Sequence, residues 1–535
     1  MTAAQENAPS GWLLVRAPSG GPISTEALGR RPGRAVPEPV FGADDTRRGL
    51  VVGLVITLLA AVTRLWDLTH PTDKGTPVFD EKHYVPQAWQ VLTGGNWIED
   101  DPAYGLVVHP PVGKWLIAIG QSVFGYGPMG WRIMSALAGI GIVVMVYAVA
   151  RRMARSTLVG AMAGVLAICD GVLFVQSRMG MLDIFQAFFI VAAFTALIAD
   201  RDQTRRRLDE AYRAGTATAS AFGPRFGFRW YRFTAGVMLG LACGTKWSGI
   251  YFVVAFTLMS LAFDVAARRD YGIARPWAGV LRRDVVPSSL SLAVMPIAIY
   301  LAAFVPWFAS ETSVYRYEVH DPGHGPLRWV PVAWQSFWHY QSGILKFHAG
   351  LTNAAGNHHP WESKPWTWPM GLRPMLYAVE TGPDKCGSGD CARVQMLIGT
   401  PMIWWFALPV LAWALWSFAA RRDWRYGAVV VGYGAAFAPW FAEIDRQMYF
   451  FYATAMAPFL MIALALCLGD VLRRAAAIPK RADGSPADKQ ILLVAAVACY
   501  LALVIVNFAW LWPVLTGVPI TKLHWHQEIW LPSWS

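Results

Sequence analysis

The chain has 535 residues, of which 55% are hydrophobic and only 15% charged, and its formal net charge is +11 at pH 7. Soluble globular proteins carry roughly 25% charged residues, so this composition, with a mean hydropathy of +0.35, excludes an ordinary soluble protein. The sequence predicts an all-α polytopic membrane protein.

Apolar stretches recur along most of the chain, and each approaches the roughly 20 residues that a helix needs to cross a hydrocarbon core. Eleven such spans are predicted, at 50–68, 131–150, 157–176, 181–199, 231–247, 249–266, 286–308, 401–419, 426–442, 449–469 and 491–512. The apolar run 112–124 is too short to span and predicts an interfacial or re-entrant helix.

The segments between the spans divide the chain further. Residues 1–48, rich in Pro, Gly, Ser and Arg, predict a disordered cytoplasmic tail. The first apolar run starts too late and is too long for a cleavable signal peptide, and predicts an uncleaved anchor. An amino-terminal membrane module at 49–310 is followed by an outside segment at 311–400, helices at 401–512 and an outside tail at 513–535.

Lys and Arg collect in every second connection, as the positive-inside rule requires. Clusters precede the first span and follow the second, fourth, sixth, eighth and tenth. The amino terminus is therefore predicted to be cytoplasmic and the carboxyl terminus outside. The basic charge belongs to these loops, so it does not indicate nucleic-acid binding.

The six cysteines differ in setting. Four lie in apolar spans and predict small core residues. Cys386 and Cys391 lie in the outside segment, where an oxidising compartment would permit a local disulfide. A metal site there is not predicted, because no matching second pair of cysteines exists.

Charged residues gather at the predicted outside face, where charge at the edge of a span is costly and therefore suggests function. Asp80 and Glu81 lie in the loop 69–130 that follows the first span, and the other candidates are His83, His109, Lys114, Arg132, Arg178, Asp183, Lys246 and Arg446. Structural alternatives exist for several of them. Asp80 and Glu81 alone would be typical of a solvated loop, Arg178 and Asp183 could form a structural ion pair, and Lys246 and Arg446 could snorkel to lipid headgroups.

Several cations beside a carboxylate suit transfer of a sugar from a lipid phosphate. The phosphomonoester leaving group is weakly basic, so no general acid is needed. Arg or Lys would neutralise its growing charge, and a carboxylate would take the proton from an attacking hydroxyl. Neither a nucleotide nor an obligate metal is required, although Asp80, Glu81 and His83 could together bind a divalent cation.

These motifs resemble those of the protein O-mannosyltransferases, membrane glycosyltransferases of the GT-C class, over nearly the whole chain from about residue 50. The similar segments occur in the family's order, at Phe79–Tyr84, His109–Lys114, Ser177–Asp183, Thr245–Trp247, His359–Pro369 and Trp530–Trp534. About 90 residues separate the seventh and eighth spans, too few for the lumenal β-trefoil insertion of eukaryotic members. The chain therefore looks like a bacterial form in the cytoplasmic membrane.

The resemblance implies inverting transfer of mannose from polyprenyl (dolichyl-type) phosphate mannose to Ser or Thr of exported proteins at the outer face. It assigns Asp80 as catalytic base and Glu81 to loop geometry or acceptor binding, and Arg132 would hold the loop or the phosphate. His83, His109, Lys114, Arg178, Asp183, Lys246 and Arg446 are candidate substrate-binding residues, and no cofactor is required. Two alternatives remain, a related enzyme moving aminoarabinose or arabinose to a glycolipid or polysaccharide, and a transporter.

Overall fold

The computed structural model describes residues 45–100, 107–319, 328–382 and 390–535. Nearly all of the predicted amino-terminal tail lies outside these residues. The first described helix begins at Thr46, four residues before the predicted span.

Helices make up most of the amino-terminal half. They are α1 Thr46–Leu65, α2 Glu81–Thr93, α3 Val112–Phe124, α4 Pro128–Ala154, α5 Thr157–Ile168, α6 Gly171–Gln176, α7 Leu182–Arg213, α8 Trp230–Thr245, α9 Gly249–Asp270, α10 Pro276–Arg283, α11 Val285–Ser289, α12 Met295–Ala303 and α13 Val305–Ala309. A π turn at Leu290–Val294 joins α11 to α12.

The carboxyl-terminal half adds α14 Val332–Gly350, α15 Pro401–Trp404, α16 Ala407–Ala419, α17 Trp424–Phe437, α18 Ala457–Ala476, α19 Asp488–Thr516 and α20 Lys522–Glu528. Five 3₁₀ turns lie among them, at Asn353–Ala355, Pro365–Met370, Ala438–Phe441, Phe450–Ala455 and Pro532–Trp534.

Seven helical segments in the described ranges are long and apolar enough to cross a membrane. They differ in how far they are covered by other helices. In α7, 83% of the most apolar window is buried, against 22% in α1 and in α19. The helix α7 therefore lies at the centre of the bundle, and its first turn faces the site described below. The short helix α3 is apolar but falls below spanning length, as predicted.

The predicted spans at 157–176 and 449–469 are among those that the structure interrupts. The span at 157–176 divides into α5 and α6 because the Asp170 carboxylate caps α6, accepting the Leu173 N–H at 3.0 Å. In the span predicted at 449–469, the aromatic run that starts at Phe450 forms a 3₁₀ turn instead. The helix α18 begins only at Ala457, with Pro458 in its first turn.

A small antiparallel sheet corrects the all-α prediction. Strand β1 (Met375–Gly382) pairs with β2 (Cys391–Leu397), and β2 pairs with β3 (Pro519–Thr521) from the tail. The third strand comes from more than 100 residues away along the chain, so no local pattern announces it. Cys391 is disulfide-bonded, whereas its predicted partner Cys386 lies outside the described residues, and this pairing stays a prediction.

Candidate active site

A strained turn presents Asp80. The preceding residue, Phe79, has φ of +50°, a backbone conformation that is costly for a bulky side chain. Its ring packs 4.9 Å from that of Tyr377 and 5.8 Å from that of Phe451, measured between centroids. The Asp80 carbonyl accepts the first N–H bonds of α2. Packing thus holds a turn that leaves the carboxylate at the wall of a cavity.

The cavity has a volume of about 650 Å³ and collects polar side chains from both halves of the chain. The predicted residues in its lining are Asp80, His83, His109, Asp183, Lys246 and Arg446. Residues separated by more than 360 positions along the chain therefore meet in one space. The lining also includes apolar side chains of α9 and α14, such as Ile250 and Leu345, which are themselves exposed on the outer surface of the protein.

Burial raises the pKa of Asp80 to about 6, and the negative charge of Asp183 acts in the same direction. The positive charge of Lys246, the nearby His83 and a hydrogen bond from Tyr84 oppose this rise. A carboxylate with a pKa near 6 is ionised at neutral pH yet basic enough to accept a proton, which suits a general base.

Lys246 is neutralised within the site. Its ammonium group donates to both carboxylate oxygens of Asp183, at 2.9 and 2.8 Å. Lys246 follows the end of α8 in extended conformation, and its carbonyl accepts a hydrogen bond from Gln186 at 3.0 Å. Since Asp183 binds Lys246, it is not the partner of Arg178 in the structural ion pair considered above.

Arg446 enters the cavity from the loop between the 3₁₀ turns at 438–441 and 450–455. Its guanidinium carbon lies 5.5 Å from the ring centroid of Trp440 and 5.6 Å from that of Tyr452. These two rings stack on each other at 4.4 Å. In the described part of the chain, no carboxylate lies within ion-pair distance of Arg446, so no described carboxylate neutralises its charge.

His109 lines the cavity beside His348, and their rings stack with centroids 5.3 Å apart. Burial lowers the pKa of His109 well below its usual value. It lowers that of His348 to about 4, with Arg446 as the next cause. Both imidazoles are therefore neutral at pH 7, and neither adds a positive charge to those of Lys246 and Arg446.

Glu81 points away from the cavity and binds Arg132, and both side chains are fully buried. Arg132 donates to both carboxylate oxygens at 2.8 Å and to the carbonyls of Leu68 and Pro71. Glu81 also accepts the Gly180 N–H at 2.7 Å. The pair connects the loop at 69–130 to α4 and to the turn before α7. It lies where it can support loop geometry and is absent from the cavity lining.

Lys114 and Arg178 are also buried outside the cavity lining. Lys114 forms an ion pair with Glu99 and donates to the His109 carbonyl at 2.9 Å. Arg178 donates to backbone carbonyls just beyond the end of α1, including that of Asp67 at 2.9 Å. Both side chains therefore bind loop and backbone groups of the protein and do not face the cavity.

The sequence prediction did not include His348, Gln186 or the aromatic platform of Trp440 and Tyr452. Gln186 could have been found, because it lies three residues after Asp183, on the same face of an apolar helix. His348 lies in the segment at 311–400, where the sequence around it has no periodic or motif signal. Within the described residues, no three His, Cys, Asp or Glu side chains are grouped so that they could hold a metal ion.

Two sequence models of one family match the chain. That described as dolichyl-phosphate-mannose-protein mannosyltransferase matches residues 54–310. That described as the C-terminal four TMM region of protein-O-mannosyltransferase matches residues 333–534. Together they include every cavity residue discussed above.

Curated relatives are similar over most of their length. A polyprenol-phosphate-mannose–protein mannosyltransferase of Mycobacterium tuberculosis is 57% identical over 94% of this chain and 95% of its own. A protein of the same name from Corynebacterium glutamicum is 45% identical over 91% of this chain and 94% of its own.

Among solved structures, a chain of the Saccharomyces cerevisiae protein O-mannosyltransferase Pmt1–Pmt2 complex bound to the sugar donor superimposes with a TM-score of 0.67. The match covers 91% of this chain and 93% of that chain at 15% sequence identity, so it supports the fold.

Proposed function

We propose that the chain, which belongs to the protein O-mannosyltransferase family of GT-C type, transfers mannose from polyprenyl phosphate mannose to Ser or Thr hydroxyls of proteins. The names of the 57% and 45% identical relatives support this donor and a protein acceptor. One observation carries the mechanism: Asp80, whose pKa is raised by burial, lines the same cavity as Arg446 and Lys246.

In the proposed reaction, the acceptor hydroxyl oxygen attacks the anomeric carbon of mannose while the bond from that carbon to the phosphate oxygen breaks. The hydroxyl proton passes to the Asp80 carboxylate, and the electron pair of the broken bond leaves on the polyprenyl phosphate. Attack opposite the leaving group inverts the configuration, from a β-linked donor to an α-linked product. Proton transfer runs late, as the oxocarbenium-like centre develops.

Arg446 is the proposed partner of the donor phosphate. Its guanidinium carries a charge that no described carboxylate neutralises, whereas Lys246 shares its charge with Asp183. A fixed cation at the leaving oxygen stabilises the transition state more than the ground state, because charge grows there as the bond breaks. Lys246 contributes more weakly, and its proximity also keeps Asp80 ionised.

The chain is a multi-pass membrane protein, and we place eleven spans in it, with the amino terminus in the cytoplasm and the cavity on the outer face of a bacterial cytoplasmic membrane. The alternation of Lys and Arg clusters supports this topology. With this topology, the acceptor hydroxyls would belong to exported proteins. The exposed apolar residues beside the cavity, Ile250 and Leu345, suit entry of a lipid-linked donor from the side.

The test is mannose transfer from synthetic polyprenyl phosphate mannose to a Ser/Thr-rich peptide in proteoliposomes, with and without a chelator. Product with the wild type, and its loss with Asp80→Asn, is expected. The matched control is Asp73→Asn, which changes an exposed carboxylate of the same loop that pairs with Lys82 outside the cavity. Donor binding without any peptide product would contradict the proposal and favour a glycolipid or polysaccharide acceptor.

A further inference from the structure

His348 lies two residues before the end of α14 and contacts Arg446 twice. Its own carbonyl accepts a hydrogen bond from Arg446 Nε at 3.2 Å, and its ring Nδ1 lies 3.3 Å from Arg446 Nη2. On the other side of the ring, Nε2 lies 3.3 Å from the carbonyl oxygen of Val108. The imidazole therefore bridges the loop that carries Arg446 and the segment that leads into His109.

These contacts allow one protonation state of the ring. A guanidinium can only donate hydrogen bonds, so Nδ1 must accept; a carbonyl can only accept, so Nε2 must carry the proton. The neutral Nε2–H tautomer satisfies both partners, and a protonated ring would place two cations against each other. Burial and the charge of Arg446 lower the pKa of His348 to about 4, which agrees with a neutral ring.

The same contacts determine what Arg446 can still bind. A guanidinium has five N–H groups, and in the described residues two of them are used by the carbonyl and the ring of His348. Three N–H groups remain for oxygen atoms of a ligand. The aromatic pair Trp440 and Tyr452 limits movement of the guanidinium on another side.

We propose that His348 is a positioning residue that holds the Arg446 guanidinium in place for the phosphate of the polyprenyl donor and product. This inference rests on the proposed function, since it takes Arg446 as the phosphate partner. His348 itself does not touch the reacting atoms. Its effect should appear in the affinity for phosphate, and should depend on the acceptor at Nδ1 rather than on the bulk of the ring.

Two amide substitutions separate the two edges of the ring. In His348→Asn the amide oxygen can replace Nδ1 as the acceptor for Arg446. In His348→Gln the amide nitrogen can replace Nε2 as the donor to Val108, and the acceptor for Arg446 is lost. A short-chain polyprenyl phosphate is the probe, and its dissociation constant is measured by calorimetry on the full-length protein in detergent.

His348→Gln removes the hydrogen bond between the ring Nδ1 and the Arg446 guanidinium. Without this contact the guanidinium is less well placed for phosphate, and binding of the probe should weaken about tenfold. His348→Asn should remain within about twofold of the wild type, because the charged hydrogen bond is kept. In the assay of transfer, His348→Gln should raise KM for the donor and also lower kcat, because Arg446 contacts the phosphate in the ground state and stabilises the leaving oxygen further in the transition state. The control is His339→Gln, which changes an exposed histidine on the same helix outside the cavity lining.

A double-mutant cycle with Arg446→Ala tests the route of the effect. Once Arg446 is removed, His348→Gln should cause no further loss of affinity; a further tenfold loss would overturn the inference. Equal weakening by the Asn and Gln variants would also overturn it. If Arg446→Ala weakens binding and His348→Gln does not, the inference alone fails. If Arg446→Ala leaves binding unchanged, the proposed phosphate role of Arg446 fails as well.

Discussion

Two groups of charged side chains lie close together near the loop at 69–130, and they differ in how their charges are satisfied. In the cavity, Asp80 has a raised pKa and Arg446 has no described carboxylate partner. Behind it, Glu81 and Arg132 neutralise each other and bond to backbone groups. Charge placed near a membrane is costly, and this cost alone makes both groups functional candidates without distinguishing them. Only the second group is fully satisfied by protein, and this difference separates the proposed chemistry from support of the loop.

The largest expected effect is that of Asp80→Asn. An amide cannot take the acceptor proton, so kcat should fall by about 10³-fold, the middle of the range for general-base removal. Donor affinity and thermal unfolding should stay near those of the wild type, because Asp80 makes no ion pair in the described residues. Transfer measured at saturating donor checks this. A variant with ordinary kcat would remove Asp80 from the role of base.

Removing the buried carboxylate next to it should affect folding instead. Glu81→Ala leaves Arg132 as an uncompensated buried charge, which typically costs about 3–5 kcal/mol of stability. Unfolding in detergent should report this loss, and the activity of the protein that remains folded should be reduced far less than in Asp80→Asn. Glu81→Gln keeps acceptor and donor groups and should be the milder variant. An inactive but fully stable Glu81→Ala protein would show that Glu81 acts in the chemistry.

The pH dependence of transfer distinguishes the groups further. Asp80 acts as a base only when ionised, and burial raises its pKa to about 6. The rate at saturating donor should therefore fall as the pH drops through about 6. Lys246 opposes that rise, so Lys246→Met should move this limb of the profile to higher pH. A limb that stays in place in this variant would show that Asp80 is not the group that titrates.

The sequence predicts part of this division between charges in the cavity and charges that support the loop. The positions of Asp80, Lys246 and Arg446 on one face followed from topology alone. The residues alone could not separate Glu81 and Arg132 from them, because adjacent residues at the start of α2 point in different directions. The family resemblance offered loop geometry or acceptor binding for Glu81, and the loop or the phosphate for Arg132. The broken span at Asp170 was missed, since the capping bond of its carboxylate depends on a local turn. Strand β3 and His348 depend on contacts over more than 100 residues.

The smallest predicted effect is that of a substitution in the segment His359–Pro369, because this segment contacts the loop of Arg446 from outside the cavity. The ammonium group of Lys364 donates to the Asn353 side chain at 3.1 Å and to the carbonyls of Ile444 and Arg446 at 3.0 and 3.1 Å. It thereby connects the loop that carries Arg446 to the segment His359–Pro369 and to Asn353.

Lys364→Met removes these three bonds and leaves the cavity lining unchanged in composition. The guanidinium keeps its contacts to His348, so only part of its placement is lost. KM for the donor should rise by about threefold to tenfold, and kcat should fall by no more than a similar factor. Lys346→Met, at an exposed lysine of α14, is the matched control and should have no effect. If Lys364→Met lowers kcat as strongly as Asp80→Asn, the segment contacts the reacting groups, and the division between cavity charges and supporting charges no longer holds.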